Sequence, residues 1–503
     1  MTPDSSAAPG LATPPRIRIG RQTGDGLRRL GMTLCACTLA ACTVGPDFVR
    51  PTAPDTDHFA AGPPLAATVE VAGQTQRFAS ATPVPADWWT LFGSAPLDAA
   101  VQQALAHNPS VQIAQANLRQ AQHLLRAGQG LFAPQLTASL GATRARSELA
   151  GQNPALTDGV YNLYSASGTV SYAPDVFGGQ TRTIEGLGAE VDLQAYNLQA
   201  SYITLTANLV NACIARAGYT AQIAATQRLL RLQQDQLHSV EARAQAGTAP
   251  FADVLTQRSA IAATRTLLAP LQLKRAQTGD LLALLQGQVP SLAIVPEVAL
   301  DSLTLPLDLP AGVPSQLVHQ RPDILAAEAT LHAASAAIGV ASAARYPDLL
   351  LSASYGTAAG TFGALGSAAS RFWSLGPSLT APLFNGGALR ARQQAAVDAF
   401  DAQQAQYRQT VLGAFAQVAD TLKALEFDAE GLQAQRNAQV AAADALALTE
   451  ASYRAGLSDG VAVMAADGAY QQALIGTLQA QVQRHQDTVA LFVALGGGWR
   501  SAP

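Results

Sequence analysis

Apolar and polar residues alternate with a period of two in a few short stretches, and recur at helical spacing over most of the remaining chain. In LYSASGTVSYAPDV (163–176), Tyr164, Ala166, Gly168, Val170 and Tyr172 share one parity, while Ser165, Ser167, Thr169 and Ser171 share the other. This predicts a β-strand with one apolar face and one hydroxyl face, paired with a strand at about 135–145. A second pair is expected at about 348–357 and 371–383. There PDLLLSASYG sets Leu349, Leu351, Ala353 and Tyr355 on one face, and RFWSLGPSLTAPLF does the same for Trp373, Leu375, Pro377 and Leu379. About nine to eleven residues of such alternation suit a membrane-crossing strand, and equally a half-buried strand of a soluble sheet.

Two proline-free stretches, about 180–245 and 387–455, read as single helices. At 1.5 Å per residue each is a rod of about 100 Å, longer than a globular core requires. In the second, Val397, Val411, Val418 and Leu425 share a heptad position, and Phe400, Tyr407 and Ala414 share the position three later. Gln404 interrupts the seam once. This is coiled-coil patterning.

The chain is written twice. Pro109 corresponds to Pro322, Leu118 to Leu331, Ala121 to Ala334 and Pro134 to Pro347, each pair 213 residues apart. APDVFGG (173–179) resembles APLFNGG (381–387), and AQAGTAPFADVL resembles YRAGLSDGVAVM. A period this long is a duplication of one large unit and not a short-repeat solenoid. The resulting organisation is a leader (1–41), an extended linker (42–96), repeat 1 (97–289), a proline-punctuated linker (290–314), repeat 2 (315–495) and a tail (496–503). Each repeat runs helix, two strands, long helix, Gly-containing turn and return helix. Four strands cannot close a barrel, and open edges are not tolerated in lipid, so a membrane reading requires association. Two copies give eight strands with a lumen filled by side chains, and three give twelve with room for water.

Composition narrows the classes. Charged residues make up 13% of the chain against roughly 25% in an average soluble domain. Net charge is -4, and nothing basic or clustered suggests nucleic acid as a partner. Five arginines between Arg16 and Arg29 precede the short apolar run LGMTLCACTLAA, which has the length of a signal-peptide core. Leu39-Ala40-Ala41-Cys42 resembles a bacterial lipobox, which implies cleavage before Cys42 and its acylation, with palmitate as one of the chains. A plain signal peptide with an incidental cysteine is the alternative. No run of 18 apolar residues is read elsewhere, so no transmembrane helix is expected. Cleavage leaves Cys213 as a lone thiol with no disulfide framework. The seven histidines are scattered, and no His-Glu-x-x-His, Gly-x-Ser-x-Gly, Walker loop or metal-spaced Cys/His set occurs. No catalytic residue, metal ligand or cofactor is therefore assigned.

GVPSQLVHQRPDILAAEATLHAASAAIGVASAARYPDLLLSASYG, with Arg321-Pro322-Asp323, resembles the signature of the TolC/OprM outer-membrane factor family. DWWTLFGSAPLDAAVQQALAHNPSVQIAQANLRQAQ resembles the amino-terminal block of its NodT-like lipoprotein branch. The likeness covers roughly residues 43–495. It implies a mixed α and membrane-β fold: a homotrimer whose twelve-stranded β-barrel, four strands per chain, continues into a long periplasmic α-helical barrel. It further implies a passive efflux duct in the outer membrane of a Gram-negative bacterium, working with a periplasmic adaptor and an inner-membrane transporter of the RND type. In this family the helix turns close the periplasmic end. By that resemblance Asp253, Tyr453, Asp459 and Val461 are gate residues, Tyr453 bonding toward Asp253, and Gly247 and Gly456 mark the turns that meet the adaptor. The second-repeat aspartates usual in the pore fall here on Ala462 and Ala465, and a gate arginine falls on Ser458, so an acidic ring would have to come from Asp459 or Asp467. An outlet for type I protein secretion and a lipid-anchored coiled-coil scaffold are the competing functions.

Overall fold

The computed structural model describes residues 43–60, 65–79, 83–146 and 160–498. In chain order the elements are β1 (Arg77–Ala79), α1 (Ala95–His107), α2 (Pro109–Gln129), β2 (Gln135–Arg146), β3 (Val160–Tyr172), α3 (Gly179–Gln245) and α4 (Phe251–Leu285). Then follow β4 (Asp308–Pro310), α5 (Pro314–Gln320), α6 (Pro322–Ala343), β5 (Asp348–Ala359), β6 (Arg371–Thr380), α7 (Ala388–Arg454) and α8 (Gly460–Ala494). The duplication is kept to the residue in its long elements: α3 and α7 have 67 residues each, α4 and α8 have 35 each. The chain divides into two units.

The first unit holds an antiparallel sheet in the order β2-β3-β5-β6. β3 begins three residues earlier than its alternation suggests, at Val160, and β6 stops at Thr380, just before Ala381 and Pro382. Register carries the alternation across all four strands. Leu136, Val170, Ala353 and Leu375 form one row, and Ala138, Gly168, Tyr355 and Trp373 form the next apolar-face row. Thr137, Thr169, Ser354 and Ser374 form a row on the other face, where Ser354 and Ser374 share a hydrogen bond of 2.7 Å. Directly opposite residues lie on the same face, so the sheet has one apolar side and one hydroxyl-rich side. Leu163, Leu350 and Phe372 are apolar exceptions on the second. Among the described residues the apolar side is largely uncovered: Leu140 is 87% and Leu375 76% exposed. Among the described residues each of β2 and β6 pairs on one side only. The 361–370 loop folds back through Thr357 Oγ1, which donates to the Leu365 carbonyl at 2.6 Å, and Phe362 meets Tyr164 edge-on at 6.0 Å. At the start of α3, the Asp175 carboxylate accepts from the backbone N–H groups of Gln180 (3.0 Å) and Thr181 (2.7 Å), filling the open donors of the helix.

The second unit holds the helices. The heptad residues Val411, Val418 and Leu425 are buried, with Tyr407 and Ala414 beside them, and the stripe continues to Leu432. Trp88 stacks on Phe492 at 5.4 Å within the same core. The Arg321-Pro322-Asp323 motif is explained by its bonds. Arg321 donates to both Asp323 oxygens (3.0 and 2.7 Å), to the Ala494 carbonyl (2.7 Å) and to Gln417 Oε1 (3.0 Å). One planar guanidinium thus joins α6 to α7 and to the end of α8, a task its fork geometry suits. By length and composition α6 could cross a membrane. It is a core helix: Ile324 and Leu331 are buried, and Glu328 accepts from Arg50 Nε at 2.6 Å.

Two segments read as linkers are fastened together. β1 and β4 pair in parallel, and Gln76 beside them donates to the Pro306 carbonyl and to Thr488 Oγ1. Upstream, Arg182 donates to Asp47 (2.7 Å), Glu185 (2.7 Å) and the Gly45 carbonyl (3.4 Å), and Phe48 stacks on His332 at 4.4 Å. Gly45 has φ +108, and a Cβ there would come within 2.5 Å of the Gly339 Cα. Backbone crosses backbone at that point, which only glycine permits.

Candidate gate at the helix turns

The two helix turns are built alike. α3 ends where the Gly247 N–H donates to the Ala244 carbonyl and the Thr248 N–H to the Arg243 carbonyl. α7 ends with Gly456 N–H to Tyr453 and Leu457 N–H to Ser452. Gly247 (φ +72) and Gly456 (φ +77) adopt the left-handed conformation that closes a helix C-terminus. These glycines define two tight, matching turns at the ends of both helical pairs.

Asp253 lies in the first turn of α4, where a carboxylate complements the helix dipole. Asp459 is the N-cap of α8 and accepts from the Ala462 N–H at 2.8 Å. Its carboxylate is exposed but already committed to the cap. Val461 is 50% exposed on the same first turn. Tyr453 is half-buried, and the Arg243 guanidinium sits 4.9 Å from its ring centroid. Among the described residues no hydrogen bond joins Tyr453 to Asp253; within one chain the aromatic face is what is engaged. Cys42 lies outside the described residues.

Between α3, α4, α7 and α8 is a cleft of about 290 Å³, bordered by Leu232, Gln236, Val240, Gln257, Glu450 and Tyr453. Glu450 pairs loosely with Arg454 (3.8 Å), and Glu241 accepts from Arg258 at 2.8 Å. Close by, Asp467 of α8 is only 3% exposed, and Gln233 of α3 reaches it at 3.4 Å. Burial pushes the Asp467 carboxyl up to about 6, Gln233 pulling the other way. An acidic ring therefore does not draw on Asp467 in this conformation: the side chain turns into the helix seam. The seam continues in buried polar residues, with Gln257 donating to the Gln233 carbonyl (2.9 Å) and Gln471 to Thr226 Oγ1 (3.4 Å). Sequence reasoning found the turns through Gly and Asp, and missed Arg243, Gln233 and the burial of Asp467. The signal available was a polar residue on the apolar stripe of each helix. Among the described residues, no group of three or more His, Cys, Asp or Glu is placed to hold a metal ion.

A sheet with open edges and an uncovered apolar side, and paired helical rods ending in matched turns, define a strand-and-rod channel protein. The model of the outer membrane efflux protein family matches residues 100–288 and 313–497, and the chain belongs to that family. The pyoverdine export outer membrane protein OpmQ of Pseudomonas aeruginosa is 32% identical over 422 residues, 82% of this chain and 88% of that protein. The probable efflux pump outer membrane protein TtgC of Pseudomonas putida is 30% identical over 477 residues, 93% and 95% of the two chains. The solved outer-membrane channel OprN superposes with a TM-score of 0.81 at 29% identity, covering 91% of this chain and all of that one. The chain is an outer-membrane efflux channel, with the fold class of the solved channels.

Proposed function

We propose that three copies of this chain close a twelve-stranded barrel and form the passive exit duct of a tripartite pump for small molecules such as drugs. The single observation that carries this reading is the sheet: four strands of membrane-crossing length, one uncovered apolar side and an open edge at each end. The apolar side meets lipid and the hydroxyl side the lumen. A periplasmic adaptor docks at the turns marked by Gly247 and Gly456, and an inner-membrane transporter of the RND type supplies the energy. Asp253, Tyr453, Asp459 and Val461 narrow the periplasmic end. Acylation at Cys42 anchors the chain to the outer membrane. No catalytic step is assigned to it, because transport through a duct needs none.

The test is oligomeric mass in detergent, followed by conductance of the purified protein in planar bilayers. A trimer whose conductance rises when the turns are loosened by substitution is the expected result. A chain that remains monomeric, or a trimer that never passes ions with loosened turns, overturns the reading.

A further inference from the structure

We infer that Asp467 is a proton-operated latch of the α3–α8 seam, tightening the helix ends when neutral and loosening them when ionised. The inference rests on the reading of these helix ends as the gate.

Among the described residues no cation pairs with the Asp467 carboxyl group. Asp467 is 3% exposed. Gln233 of α3 approaches it at 3.4 Å, and Gln257 of α4, which also faces the seam, is spent on the Gln233 carbonyl and on Gln236 Oε1 (3.2 Å). Of the charged groups on α7, Glu450 is the one whose charge reaches Asp467, and it opposes ionisation. Arg454 is turned to Glu450, and Arg243 lies over the Tyr453 ring. Asp235 of α3 borders the neighbouring cleft and adds no positive charge. On its own helix the residues one turn away are Val463, Met464, Tyr470 and Gln471; none is a cation, and Gln471 donates to Thr226 Oγ1 at 3.4 Å. An ionised carboxylate in this seam has one long hydrogen bond and a like charge as company, so the seam must open toward water to stabilise it.

The direction follows from linkage. In the closed seam the carboxyl titrates near 6. Exposed to water it titrates near the ordinary value of about 3.9. The closed state therefore binds the proton more tightly. Its advantage is full at acid pH, falls as pH rises from about 4 to about 6, and has gone above that. The swing is about a hundredfold in the closed-to-loose ratio per chain.

The test uses the full-length trimer with spin labels on cysteines introduced at Ser239 of α3 and Ser458 in the second turn. Cys213 is buried with its thiol pushed up to about 12 and does not compete for label. Label separation and bilayer conductance are read from pH 4 to pH 8. The expected result is a separation that lengthens between pH 4 and about 6.5 in the native protein and stays short throughout in Asp467→Asn, with Asp467→Glu retaining the response. A native separation that is flat over this range, or an Asn variant that follows the native curve, overturns the latch. The native titration needs no variant to fold. Separation that follows pH while conductance does not supports the latch and overturns the reading of the turns as the gate.

Discussion

Gln76 and Arg484 stand 408 residues apart and meet at 2.9 Å, Arg484 Nε donating to Gln76 Oε1. Gln76 has no exposed surface and Arg484 is 1% exposed. Burial lowers the pKa of Arg484, and the charge of Asp428 acts the other way. Gln76 uses its amide nitrogen on the Pro306 carbonyl (3.2 Å) and Thr488 Oγ1 (3.0 Å), and Thr68 Oγ1 receives from both Arg484 Nη2 and the Gln76 N–H. One side chain thus holds the amino-terminal segment, the inter-repeat segment and α8 around a buried cation. Gln76→Leu removes an acceptor from a buried guanidinium and takes a donor from the Pro306 carbonyl and from Thr488 Oγ1, which keeps its own bond to the Arg484 carbonyl. The expected loss is about 3 kcal/mol, seen as a clear drop in melting temperature in detergent. Gln76→Glu, which keeps an acceptor for Arg484 but faces the Pro306 carbonyl, should lose less; equal melting of Leu and native proteins would discount the network.

Arg182 clamps the segment that follows Cys42. Its bonds to Asp47 and Glu185 raise its pKa and fix its fork. Arg182→Ala is expected to free residues 45–50 and speed chymotryptic cleavage after Phe48 by at least about tenfold, or about 1.4 kcal/mol of local opening. Arg182→Lys keeps the charge without the fork and should fall between the two. Cleavage at the native rate in Arg182→Ala would mean that Phe48 on His332 and Arg50 on Glu328 hold the segment unaided.

The rows across the sheet make a face-by-face prediction. A water-soluble, membrane-impermeant maleimide should label cysteines placed at Ser165, Ser167 and Thr169 and spare those at Ala166, Gly168 and Val170. Arginine at Val170 should cost about 2–4 kcal/mol if that position lies near mid-membrane, and cut the yield of assembled trimer. Arginine at Thr169 should be tolerated. Uniform labelling of both parities would place the sheet outside the bilayer.

The sequence made some elements legible because their signals are long or periodic. Two proline-free runs and a repeated Gly-containing turn gave α3 and α7 nearly to the residue, and period-two alternation, broken at a few positions such as Leu163 and Phe372, gave both sheet faces. The pairing of β1 with β4 was not legible. Three residues on each side carry no period, and what joins them is Gln76, whose partners lie hundreds of positions away. By composition alone α6 could pass for a membrane span, while Glu328 and His332 show which side is packed. At the turns, residue types were readable but their engagement was not. Asp459 was readable as a turn acid, yet its role as an N-cap depends on the start of α8. Asp467 looked like a pore acid and is buried. A carboxylate's direction depends on helix phase, which one residue does not reveal.

Tyr453 has two parts that could hold the turn, its ring and its hydroxyl. The family resemblance makes its hydroxyl a partner for Asp253, whereas within this chain its ring lies under Arg243 at 4.9 Å. These alternatives separate by substitution. Phenylalanine keeps the aromatic face and loses the hydroxyl, and alanine loses both. If the cation–π contact between the ends of α3 and α7 restrains the turns, Tyr453→Phe should leave bilayer conductance close to native. Tyr453→Ala and Arg243→Ala should each raise the open fraction by about two- to fivefold, equivalent to about 0.5–1 kcal/mol for a half-exposed contact. The double Ala variant should add little to either single one, because both remove the same interaction. If the hydroxyl instead reaches Asp253 of a neighbouring copy in the trimer, Tyr453→Phe and Asp253→Ala should raise conductance together and fail to add, while Arg243→Ala leaves it unchanged. Single-channel recordings of these variants at one pH decide which half of the tyrosine holds the turn.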